Sequence, residues 1–64
     1  MSKIMYKTFE IKITKVEKDV YNWEIYGKHP LDKKPFMYRE GIAYVETQNK
    51  VLDIAKEVIN EELM

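Results

Sequence analysis

The chain contains no cysteine, which excludes disulfide bonds and thiolate metal sites and removes any need for an oxidising compartment. Its one histidine, His29, cannot build a multi-imidazole metal centre within one chain. Two glycines, Gly27 and Gly41, are too few for a glycine-rich phosphate loop. The one serine is Ser2, near the N-terminus, and no base is legible beside it. No apolar run approaches the roughly 20 residues that span a bilayer. The first ten residues, MSKIMYKTFE, lack the apolar core of a secretion signal. These absences predict a soluble, cytoplasmic protein with no membrane partner, no metal, no cofactor and no enzymatic activity.

What is present suffices for folding. The 64 residues are 45% hydrophobic with zero net charge, unlike the polar, highly charged composition of disordered chains. A chain this short buries only about 60% of its unfolded surface, so its apolar residues must share one core. A single domain over residues 1–64 is expected. The neutrality hides an asymmetry: residues 1–39 carry a net +4 and residues 40–64 a net −4.

Residues 7–16, KTFEIKITKV, alternate Phe9, Ile11 and Ile13 with Thr8, Glu10, Lys12 and Thr14. That period of two predicts a strand with one wet face, and Met5 continues its apolar side backwards. After the polar turn Glu17–Asp19, Tyr21, Trp23 and Ile25 alternate with Asn22, Glu24 and Tyr26. The short link predicts an antiparallel hairpin.

The next ten residues, GKHPLDKKPF, gather both prolines, His29 and three lysines. Proline removes a ladder donor, so no regular ladder is expected through them. Ten residues exceed the usual hairpin loop of about 2–5. Gly27–Lys28 and Pro35–Phe36 are therefore candidates to prolong the flanking strands and leave a basic finger. The run FMYREGIAYVE from Phe36 predicts a third strand, with Gly41 marking a bulge, Ala43 and Val45 inward, and Ile42 and Tyr44 outward.

Thr47 reads as a helix N-cap. Val51, Ile54, Ala55, Val58 and Ile59 then follow at helical spacing, with Leu52 and Leu63 at the edges. Acidic residues crowd the C-terminal end, where the helix dipole disfavours them, and predict a frayed last turn. The class is α+β: a three-stranded antiparallel sheet with one C-terminal helix packed on one face, in the order β-β-β-α.

Glu61–Glu62 and Glu10/Glu24 read as solvated carboxylates, because acid–base work requires burial to shift a pKa. Binding remains, on three surfaces. The first is the sheet face opposite the helix, with Tyr6, Lys12, Thr14, Asn22, Glu24 and Tyr26, and with Tyr38, Ile42 and Tyr44 as further candidates. The second is the loop with Lys28, His29, Lys33 and Lys34, followed by Arg39. The third is the acidic helix face.

The junction Val45-x-Thr47-x-x-x-Val51-x-x-Ile54-Ala55, following the strands, resembles the N-terminal DNA-binding domains of phage and transposon integrases, which are small β-β-β-α modules. The resemblance covers mainly residues 36–59. It implies a sheet laid in the major groove, with Lys12, Lys28, Lys33, Lys34 and Arg39 as the candidates for DNA contact. In size and neutrality the chain also resembles accessory and inhibitor proteins of mobile elements, anti-CRISPR proteins among them. That likeness implies a module that blocks a partner's surface, with tyrosines as anchors. A sequence pI near 6.6 and glutamates among the lysines of the wet face place a protein partner ahead of DNA. A homodimer through a free strand edge or the Ile42/Tyr44 patch is the third expectation.

Overall fold

The computed structural model describes residues 2–28 and 35–63. Four strands, β1 (Ser2–Tyr6), β2 (Phe9–Glu17), β3 (Val20–Lys28) and β4 (Pro35–Ala43), precede one helix, α1 (Gln48–Val58), which widens into a π-helical turn over Ile59–Leu63. The strands form one antiparallel sheet in the order β1-β2-β3-β4. The α+β class and the C-terminal helix agree with the sequence. The strand count does not, because the sheet has four strands rather than three.

The additional strand, β1, ends in a turn that the sequence does not advertise. Tyr6 pairs directly with Phe9, leaving Lys7 and Thr8 as a two-residue connection. Lys7 adopts a φ of 56°, a left-handed conformation that costs an ordinary side chain about 1–2 kcal/mol. Asparagine or glycine usually supplies it in such hairpins. The turn also changes the parity of the chain. Ile4 lies opposite Ile11 on the covered side, and Met5 lies opposite Glu10 on the other. Met5 therefore leaves the apolar face on which the alternation placed it, and is 68% exposed.

One face of the sheet packs on the helix. Ile11 and Ile13 from β2, Tyr21, Trp23 and Ile25 from β3, and Ala43 from β4 meet Val51, Ala55 and Ile59 of the helical segment, all of them buried. Val51, Ala55 and Ile59 fall four residues apart, one stripe of an α-helix. Ile4, Tyr6, Phe9, Val45, Leu52, Ile54, Val58 and Leu63 close the margins. Among the described residues no polar or charged group lies in this core apart from the polar ends of Tyr21 and Trp23, and no buried side-chain polar atom lacks a hydrogen-bond partner.

Gly41 does not form the expected bulge. It pairs regularly with Trp23, and an added Cβ would fall 2.5 Å from the indole Cζ2. The glycine is required by the close approach of the indole, not by a break in the ladder. The irregularity lies further along: Ile25 pairs with Arg39, but Tyr26 pairs with Met37. Tyr38 is the extra residue, and a bulge of this kind turns an extra side chain out of the strict alternation.

Thr47 caps the helix in an extended conformation, its hydroxyl accepting from the Lys50 backbone N–H at 3.4 Å. The C-terminal end does not unwind within the described residues; it remains helical through Leu63. Asn60 Oδ1 accepts from Lys7 Nζ at 2.6 Å, and Glu62 accepts from Arg39 Nε at 3.1 Å. Cations from the basic half of the chain thus reach the acidic helix end, where the dipole favours positive charge. No helix among the described residues is long and apolar enough to cross a membrane.

Candidate functional site

The strand registers place the candidate residues on one side of the sheet or the other. Tyr6 belongs to the helix-covered side: its hydroxyl exchanges hydrogen bonds with the Asn60 side chain at 3.1 and 3.3 Å. Lys7 and Lys56 hold their ammonium groups 5.4 and 5.2 Å from its ring centroid, within cation–π reach. Tyr38 also leaves the open face, because the bulge turns it over Gly27. There it meets the rings of Phe9 and Phe36 edge-on, at 5.6 and 5.1 Å. Arg39, opposite the buried Ile25, joins Glu62 and donates from Nη1 to the Tyr38 carbonyl oxygen at 2.7 Å. Tyr6, Tyr38 and Arg39 are therefore corrected from the open face, or from the basic loop that precedes Arg39, to the side that holds the helix.

Lys12, Tyr26, Thr14, Asn22, Glu24 and Ile42 lie on the open face, as expected from the alternation. Tyr44 follows β4 and is 80% exposed. Gly27–Lys28 and Pro35–Phe36 do prolong the ladder, which shortens the long connection. His29, Lys33 and Lys34 lie outside the described residues, as does the side chain of Lys28.

Three rows cross the open face. The central one runs Lys3, Lys12, Glu24, Glu40 from β1 to β4, each residue directly opposite the next. Beside it runs Met5, Glu10, Tyr26, Met37, and on its other side Thr14, Asn22, Ile42. Among the described side chains the face is polarised: lysines on β1 and β2, glutamates on β3 and β4, with Glu10 as the exception. Lys3–Lys12 and Glu24–Glu40 are like-charged cross-strand neighbours, an arrangement that destabilises a sheet. Among the described residues no ion pair forms on this face.

Tyr26 sits among three carboxylates. Its hydroxyl donates to Glu24 Oε2 at 3.0 Å. That bond, partial burial, and the negative charges of Glu24, Glu40 and Glu10 raise its pKa above the ordinary phenol value. Like any phenol it is protonated at neutral pH, and its proton goes to Glu24. An open groove of about 620 Å³ passes the end of the β1–β2 hairpin, lined by Met5, Thr8, Phe9, Glu10, Tyr26, Gly27 and Tyr38. Among the described residues, no three potential metal-ligating side chains converge.

Met5, Met37 and Lys3 are the members of this face that sequence reasoning misses. The parity change at Lys7–Thr8 hides Met5. The bulge that follows it hides Met37. Lys3 sits on the strand that the alternation alone does not reveal. The two-residue step from Tyr6 to Phe9, both aromatic and both flanked by alternating residues, is the available signal for the turn. Compared with known protein families, curated proteins and solved structures, the chain matches none.

Proposed function

We infer that this protein is a non-enzymatic protein-binding module, an accessory or inhibitor protein of the cytoplasm, which docks through the open face of its sheet. The observation that carries the reading is the set of large apolar side chains left in water on that face. Met5, Met37 and Ile42 are 68%, 40% and 53% exposed, in a chain too small to leave apolar surface idle. Tyr26 stands between them, and Tyr44 flanks them. Methionine and tyrosine are enriched at the cores of protein interfaces, with charged residues towards the rim.

Duplex DNA ranks below a protein as the occupant. Phosphates approaching this face would meet Glu10, Glu24 and Glu40, and phosphate neutralisation supplies most nonspecific affinity for DNA. Arg39, one of the candidate DNA contacts, is engaged with Glu62 on the other side.

A photo-crosslinking side chain placed at Met37 or Ile42, and as a control at Asp53 on the exposed side of the helix, tests this reading in extract of the source cells. Discrete protein adducts from positions 37 and 42 but not 53 are expected. Adducts from position 53 alone, or from none of the three, would overturn it. Amide shifts of open-face residues on addition of generic duplex DNA at low salt would favour DNA instead.

A further inference from the structure

We propose that the open face binds a second copy of this chain, face to face, about a two-fold axis running along the strands between β2 and β3. The proposal rests on the reading of that face as the binding surface, and names its occupant.

The charge order supplies the reason. Rotation by half a turn about such an axis lays β1 over β4 of the second copy and β2 over β3, while preserving height along the strands. Each cross-strand row then lies on itself reversed. The row Lys3, Lys12, Glu24, Glu40 meets Glu40, Glu24, Lys12, Lys3, so all four facing pairs are opposite in charge. A row of alternating sign would share this property at no cost to the isolated sheet. This one instead keeps like charges side by side at both ends: the row neighbour of Lys3 is Lys12 and that of Glu40 is Glu24, so Lys3 and Glu40 meet a directly facing counter-charge only across the interface. In the neighbouring row Met5 falls on Met37, apolar on apolar, and Glu10 falls on Tyr26, whose one hydroxyl proton is already given to Glu24. In the third row Thr14 faces Asn22. The surface is thus complementary to itself, as an isologous contact requires.

Size and packing agree. The two longer dimensions of the molecule are 39 and 21 Å, so the contact has a ceiling of roughly 800 Å² in projection, the area one partner contributes to a standard interface. Two twisted sheets stack face to face with their strands nearly aligned, the arrangement this axis produces.

Sedimentation equilibrium on the full chain, from about 10 μM to about 1 mM, reads the association. Two copies of the 7.7 kDa chain are expected at the upper end. Lys12→Glu alone, or Glu24→Lys alone, turns both central facing pairs repulsive and should weaken self-association by about tenfold or more. An equimolar mixture of the two variants restores both attractive pairs, one of them with its signs exchanged, and should dimerise at least as well as the unaltered chain. Because each variant is its own folding control in the mixture, loss of dimer through misfolding is distinguished from loss through charge. A chain that stays monomeric to about 1 mM overturns the proposal, as does a dimer indifferent to both substitutions or a mixture that fails to associate. A monomer whose positions 37 and 42 still crosslink to a different protein overturns self-pairing while leaving the open-face reading intact; a monomer without adducts overturns both.

Discussion

The two faces of this sheet are made by the same strands from alternate residues, yet they solve different problems. The covered face is chemically uniform: isoleucines, Trp23 and Tyr21 fit one helix stripe, and no charge is buried there among the described residues. The open face keeps apolar side chains in water and sets like charges side by side. The covered face is complete within one chain. The open face has features that cost the lone chain stability and that the proposed second copy would offset. The contrast separates residues that hold the fold from residues available for recognition.

Substitutions on the two faces should therefore register in different measurements. Trp23→Ala empties the centre of the covered face and should lower stability by about 3–5 kcal/mol in a urea melt, a large share of what a chain this size possesses. Gly41→Ala forces a methyl group against the same indole and should cost about 1–3 kcal/mol through overpacking. A variant as stable as the unaltered chain would contradict the close approach of β4 to Trp23. Thr47→Ala removes the N-cap bond and should cost about 1 kcal/mol.

The open face should show the opposite sign. Glu40→Lys exchanges the like-charged Glu24–Glu40 neighbours for an attractive pair, so at low concentration it should raise stability by a few tenths of a kcal/mol. The same change should weaken self-association, because the new ammonium group would face Lys3 of the second copy. Stability and association moving together would erase the distinction between the faces.

The smallest effect is spectroscopic. Tyr26 should ionise above the ordinary phenol value in a phenolate absorbance titration, and Glu24→Gln should bring it down. Because its folded pKa is raised, whatever stability Tyr26 draws from this bond is present below about pH 10 and fades as pH climbs through the folded value.

Much of the covered face is legible in the sequence because burial enforces period. Ile11, Ile13, Tyr21, Trp23 and Ile25 alternate without interruption, and Val51, Ala55 and Ile59 follow a helical stripe behind a threonine cap. The open face is less legible because backbone conformation, not side-chain type, decides it. Lys7 takes a left-handed conformation that nothing in its chemistry announces, and this transfers Met5 from one face to the other. The bulge at Tyr38 moves an aromatic ring to the helix side, a shift that alternation alone does not reveal. Arg39 looks like a free cation in the sequence. Its partner Glu62 stands 23 residues away and is found only once the helix has folded back.

The most direct test is methyl NMR of the full chain across a concentration series, because methionine and isoleucine methyls report both faces at once. The account predicts concentration-dependent shifts at Met5, Met37 and Ile42, with Ile11, Ile13, Ile25 and Ile59 unmoved. Methyls that hold still on the open face to millimolar concentration, or shifts confined to the helix side, would contradict it.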